Sequence, residues 1–222
     1  MRFDDLNWQD VASYLEQNDR IIVVTGSTEQ HAFLSLTTDN QIPQRIADAV
    51  SQRTHTLVAP PLNFGVTPYF MSYPGTISLQ KATFDAVVVD IVSSLMTHGF
   101  RRFFVLNGHG GNEKPAGLND MAVTVIWHNW WQSPVVQNFA ADLQLTPGHA
   151  NWLENFPFNR VTEVTHSRKP NAVVDYTLPA PKIREALGDG STGDYYAIND
   201  DHMNRLFALV VDEVTRMVVN LR

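Results

Sequence analysis

The chain contains no cysteine among its 222 residues. That excludes disulfides, a thiolate nucleophile and cysteine-ligated zinc, so any metal has to sit on imidazole and carboxylate ligands. Positive charge is also scarce: 16 Lys and Arg stand against 23 Asp and Glu, a formal net charge of −7. This argues against a general binder of nucleic acid or anionic membrane. No stretch approaches the roughly 20 apolar residues of a membrane span. The opening Met1-Arg2-Phe3-Asp4-Asp5 lacks the apolar run of a signal peptide, so the expected setting is cytoplasmic.

What is present is enough apolar residue, 44% of the chain, to bury one sizeable core. Asn7 is placed to cap a helix over Trp8 to Gln17, whose apolar residues recur at helical spacing. Ile21 to Thr25, ended by Gly26, reads as a buried β-branched strand. A helix over Ile42 to Arg53 and a strand over Thr56 to Ala59 come next, then a long helix from Ser78 to His98 closed by Gly99. Arg102 to Leu106 reads as the next strand, Glu113 to Trp130 as the next helix, and Pro134-Val135-Val136 as a fourth strand. Asp201 to Leu221 closes the chain as a helix, and Ser167 to Gly193 is expected to be a loop-rich excursion. Strands alternating with helices predict a single-domain α/β fold, its mostly parallel sheet flanked by helices on both faces.

In open α/β sheets, ligands bind beyond the carboxyl ends of the strands. Glu29 and His31 come after the first strand, and Asn107-Gly108-His109 after the third, so topology alone directs them to one crevice. Glu29 and His31 are two residues apart and share a side of extended chain, and Asp39 can return to them. Two carboxylates and an imidazole suit a divalent first-row ion, although a solvated loop acid and an ordinary half-buried histidine would look the same. In Asn107-Gly108-His109-Gly110-Gly111-Asn112 the glycines permit a sharp turn and leave the imidazole open; a helix-capping turn is the plainer reading. His149 and Glu154, after Pro147-Gly148, could add a proton shuttle and a further ligand near a helix start.

Gly188-Asp189-Gly190-Ser191-Thr192-Gly193 matches G-x-G-x-x-G but comes after an expected helix over Lys182 to Leu187, which denies it dinucleotide context. Trp127, Trp130 and Trp131 read either as packing or as a lid. His98, His128, His166 and His202 have no partner pattern and read as structural.

Taken in order, these segments resemble the creatininase family, the creatinine amidohydrolases. Gly26-Ser27-Thr28-Glu29-Gln30-His31 is similar to its opening G-S-x-E-Q-H. Gly65-Val66-Thr67 and Tyr73-Pro74-Gly75-Thr76 resemble its middle element, and Gly99-Phe100-Arg101 with Asn107 to Asn112 its G-F-R and N-G-H-G-G-N segment. His149 to Asn155 resembles its late H-A-G-x-x-E-T-S element. The resemblance implies a fold of that type carrying two divalent cations (Zn, Mn or Fe), one on Glu29, Asp39 and His109, the other on His31, Asp39 and Glu154. It further implies His149 as acid/base, Thr67 and the Gly110 backbone facing a small-molecule substrate, and assembly into homohexamers. The expected reaction is hydrolysis of an amide-type, non-peptide C–N bond by an activated water.

Three departures qualify the match. The loop from Glu29 to Asp39 is one residue shorter, and Ala32-Phe33-Leu34-Ser35 replaces Gly-Pro-His-Leu-Pro. Gly111 stands where creatinine-hydrolysing members carry an acidic ligand, which shifts the second metal onto Glu154 and disfavours creatinine. Asn155-Phe156 replaces Thr-Ser. The rival readings are a non-catalytic α/β ligand-binding or assembly subunit, and a mononuclear deformylase or peptidase of the same family.

Overall fold

The computed structural model describes all residues from Met1 to Arg222. Four parallel strands form its sheet in the order β2-β1-β3-β4: β1 (Arg20–Thr25), β2 (Leu57–Val58), β3 (Arg102–Asn107) and β4 (Thr124–Asn129). Side chains alternate across a strand, and here both faces are covered. Ile22, Val24, Phe104 and Leu106 pack on one side against α2 (Thr38–Thr54), α4 (Pro134–Asp142) and α6 (Asp200–Val219). Ile21, Val23, Phe103 and Val105 pack on the other against α1 (Trp8–Leu15) and α3 (Lys81–His98). The expected α/β architecture is the observed one.

Local chemistry explains several boundaries. Asn7 closes a capping box on α1, accepting from Gln9 and Asp10 N–H while Asp10 accepts from Asn7 N–H. Gly99, at φ +115°, ends α3 in a left-handed turn. Helix α2 starts at Thr38, four residues before the expected Ile42, because Pro43 lies inside the helix instead of announcing it. The shift places Asp39 in the first turn of α2, at the edge of the crevice.

Two expectations are corrected. Glu113 to Trp130 is not a helix: a short 3-10 turn at Ala116–Leu118 leads into strand β4. Pro115, Gly117 and Asn119-Asp120 break helical continuity, and the β-branched Val123 to Ile126 gains a full ladder beside β3. Pro134-Val135-Val136 is not a strand but the first turn of α4, with Ser133 as N-cap and Pro134 at the first helical position. Three residues of apolar run cannot distinguish the two alternatives. The tryptophans accordingly share no helical face. Trp127 is on β4, while Trp130 and Trp131 begin the 3-10 turn after it.

The excursion from residue 167 to 193 is mostly irregular. It contains β5 (Arg168–Lys169) and α5 (Ala180–Leu187), and β5 pairs antiparallel with β6 (Asp194–Tyr195). His149 to Glu154 forms a turn with Ala150 at φ +54°, then a single 3-10 turn at Trp152–Glu154, not an α-helix start.

Candidate metal centre

The carboxyl ends of β1 and β3 lie side by side, with Thr25 opposite Asn107. The loops leaving them carry Glu29 and His31 from one strand and His109 from the other, and α2 brings Asp39. All four are at least 97% buried. Glu154 and His149 arrive from the 147–154 turn. The six candidate ligand and acid/base positions therefore meet in one place, although they span 126 positions of sequence.

Asp39 is the hub. Its Oδ2 lies 2.9 Å from His109 Nδ1 and its Oδ1 3.0 Å from His31 Nε2. Glu29 Oε2 lies 3.3 Å from His109 Nδ1, and Glu154 Oε2 3.7 Å from His31 Nε2. Three sets have their ligand atoms mutually within 4.8 Å: Glu29–Asp39–His109, His31–Asp39–Glu154 and Glu29–His31–His149. Asp39 belongs to the first two.

The residues fit cations on three counts. Asp39 Oδ2 is buried and, apart from its ion-pair contact with His109 Nδ1, accepts no hydrogen bond, an arrangement that is costly unless something positive is bound. The outer nitrogens of both histidines face backbone carbonyls: His31 Nδ1–H donates to Glu29 O at 3.1 Å and His109 Nε2–H to Val66 O at 3.0 Å. In the neutral ring each inner nitrogen is thereby left as a lone pair on the Asp39 side, the tautomer a metal ligand needs. Finally, the donors are all imidazole nitrogen and carboxylate oxygen, which suits zinc, manganese or iron.

Electrostatics tell the same story in protons. Burial alone would lower His31, but Asp39, Glu154 and Glu29 outweigh it and hold the imidazole protonated up to about 10. His109 is raised for the same reason, burial being overcome by Glu29 and Asp39. Burial pushes the Glu154 carboxyl up to about 7, with Asp39 and Glu29 adding to the rise and His31 opposing it. Asp39 is held well below the carboxylate range, the histidines overcoming its burial. Three buried carboxylates in contact demand positive charge, supplied either by protons on the histidines or by metal.

His149 differs. Burial, then the nearby His31, push it down to about 4, so it is neutral at pH 7. Its ring stacks on Phe70 at 4.6 Å between centroids and lies 4.5 Å from His31. Its Nδ1 stands 3.8 Å from Glu29 Oε1 and 4.0 Å from Glu154 Oε2.

A cavity of about 580 Å³ opens onto these groups. Gly110 is on its wall, with Trp131 facing it. Trp131 thus joins the cavity, whereas Trp130 is core and Trp127 packs near Phe84 at 6.5 Å. Thr67 is fully buried with its hydroxyl unpartnered, and it does not line the cavity. The neighbouring Tyr69 does, its hydroxyl 3.3 Å from His109 Nε2 and its ring edge-to-face with Tyr176 at 5.0 Å. Neither Tyr69 nor Tyr176 stood out in the sequence. Tyr69 sits two residues after Thr67 in the matched middle element, but nothing local indicates which of the pair reaches the cavity.

A family model described as creatininase, creatinine amidohydrolase, matches residues 4–218. The chain belongs to the creatininase family. Among curated relatives, the creatinine amidohydrolase of Pseudomonas putida is 29% identical over 67% of the chain. The 3-dehydro-scyllo-inosose hydrolase of Thermotoga maritima is 29% identical over 59% of it. The chain spans 64% and 45% of these relatives' own lengths. A solved creatininase structure superposes with a TM-score of 0.77 at 20% identity, covering 98% of this chain and 96% of that one. Solved creatininases include a zinc–zinc form and a manganese form. Between these creatininases and this chain, the likeness is one of fold.

Proposed function

We propose that residues 1–222 form one metal-dependent amidohydrolase domain, which hydrolyses an amide-type C–N bond in a small non-peptide substrate. The observation that carries this reading is the divided carboxylate of Asp39, buried with one oxygen toward each histidine. Glu29, Asp39 and His109 would hold one divalent cation, and His31, Asp39 and Glu154 the other. Bound there, zinc, manganese or iron would polarise a carbonyl and bring the pKa of a water toward neutrality.

The protein's own groups supply the rest. His149, neutral and stacked on Phe70, would hand a proton to the departing nitrogen and take one in return from the attacking water, so that it ends neutral. Ser27 Oγ–H donates to Glu29 Oε2 at 3.1 Å, and Ala150 N–H to Glu154 Oε2 at 2.6 Å, which fixes both carboxylates. The aromatic wall of Tyr69, Tyr176 and Trp131 faces the substrate across from the Gly110 backbone. Thr67, whose buried hydroxyl lacks a partner, would serve the substrate only if the Tyr69 loop shifts. Gly111 cannot supply the acidic ligand of creatinine-hydrolysing members, so we do not assign creatinine as substrate. A cytoplasmic setting and assembly into a homohexamer belong to the same proposal, on the family resemblance.

The test is metal removal. EDTA is expected to abolish hydrolysis of a substrate found by a metabolite screen, and Zn or Mn to restore it, at two ions per chain. Protein purified without divalent metal and indifferent to chelator would overturn the reading. One ion per chain would favour the mononuclear alternative.

A further inference from the structure

Of the three histidines around Asp39, His149 is the one whose outer nitrogen meets an amide N–H, whereas the Tyr69 hydroxyl beside His109 Nε2 can accept as well as donate. His149 Nε2 lies 2.8 Å from the side-chain amide nitrogen of Gln30, itself 5% exposed. That amide cannot be turned over. Its Oε1 accepts from Ala32 N–H at 3.1 Å, while its Nε2 donates to Gly190 O at 3.1 Å. A flipped amide would set oxygen against carbonyl and N–H₂ against N–H. The Gln30 nitrogen is therefore fixed as a donor toward His149. The Gln30 carbonyl is also 3.1 Å from His149 Nε2. That carbonyl could accept from an Nε2–H, but it is the longer contact, and such a hydrogen would leave two N–H donors facing each other across 2.8 Å.

The Gly188–Gly193 run, which has no dinucleotide context, builds this clamp. Gly190 has φ +104°, and a Cβ there would stand 1.7 Å from Gln30 Oε1, so only glycine lets the carbonyl reach the amide. Two residues on, Thr192 N–H and Oγ1–H donate to the His149 carbonyl at 3.0 and 3.2 Å. One loop thus grips both the backbone of His149 and the residue that touches its ring.

We propose that Gln30, clamped by the Gly188–Gly193 loop, is a positioning residue that sets His149 in the Nδ1–H tautomer, with its proton facing the Glu29–Glu154 side. The contrast with its neighbours divides the roles. His31 and His109 donate from their outer nitrogens to carbonyls and so keep, in the neutral ring, an inner lone pair for a ligand; the amide N–H on its outer nitrogen leaves His149 with its one hydrogen on Nδ1. The use of that proton rests on the hydrolase reading above, but the tautomer does not.

The deciding measurement is solid-state ¹⁵N NMR of sedimented, histidine-labelled, zinc-loaded protein, with His149 assigned by its loss in His149→Gln. Wild type should carry the proton on His149 Nδ1 and show a bare Nε2. Gln30→Glu should invert this, because a carboxylate takes the hydrogen from Nε2. Gln30→Met and Gly190→Ala should lower kcat by about 10- to 100-fold, with KM and bound zinc within about twofold of wild type. A wild-type His149 protonated on Nε2, or a Gln30→Met enzyme with unchanged kcat, would overturn the proposal. Should the protein bind no divalent metal, the hydrolase reading fails, while the tautomer measured in the metal-free protein still decides the role of Gln30.

Discussion

The Tyr69 hydroxyl occupies the space that a side chain on Gly111 would need. A Cβ built on Gly111 stands 2.6 Å from Tyr69 Oη, 2.6 Å from His109 Nε2 and 2.0 Å from the Val66 carbonyl oxygen. The last of these is backbone and cannot swing away. Gly111→Ala is therefore expected to cost about 1–3 kcal/mol through overpacking, read as a lowered Tm. Gly111→Glu should do worse and lose metal instead of installing an acidic ligand. A Gly111→Glu protein with wild-type Tm and full metal content would show that this space is free after all.

Metal content should separate the ligands from the acid. His109→Ala is expected to empty the Glu29–Asp39–His109 set, and Glu154→Gln to weaken the second set, leaving about one ion per chain if each set holds one. His149→Ala should keep both ions and slow turnover by about 10²–10⁴-fold, the usual worth of a positioned acid. Elemental analysis beside single-turnover kinetics distinguishes the three. Loss of metal in His149→Ala would move that residue into the ligand set, where its place near Glu29 and His31 makes it a geometric candidate.

Protons and cations compete for this centre, so stability and metal binding should respond to pH with opposite signs. In the metal-free protein His31 is raised from 6.5 to about 10. Between those values the folded state binds the extra proton, so the stability it confers is complete below pH 6.5 and is lost as pH rises toward 10. His109 shifts the same way. The Tm of EDTA-treated protein should accordingly fall between pH 7 and 9.5, whereas the zinc-loaded protein, which needs both imidazoles unprotonated, should hold its Tm. Zinc binding near pH 7.5 should release about two protons, measurable by calorimetry in buffers of different ionisation enthalpy. Metal-free protein that gains stability over that range would contradict the charge assignment.

Much of the crevice was legible because its signals are local. The β-branched run at Ile21–Thr25 and the bulky run at Arg102–Leu106 announce buried strands, and topology then places the loops leaving those strands at the same edge. The same logic failed from Glu113 to Val136. There β4 is only half-buried, unlike β1 and β3, and an apolar trio after a serine reads equally as strand or helix until a neighbouring strand offers it a ladder or does not. Asp39 was reachable by sequence only as a residue after a shortened loop; the early start of α2 is what brings it between the two histidines.

The sequence by itself determined the fold class, the family, and which residue types converge. Glu29, His31, Asp39, His109, His149 and Glu154 are chemistry that imidazole and carboxylate carry wherever they are placed. Tertiary structure decided what each of them does. Whether an imidazole is ligand or acid depends on the group facing its outer nitrogen, and those groups come from far along the chain. Val66 lies 43 residues from His109, and Gln30, held by the carbonyl of Gly190, lies 119 from His149. A neutral imidazole has two nitrogens and one hydrogen, and only the folded surroundings choose between them.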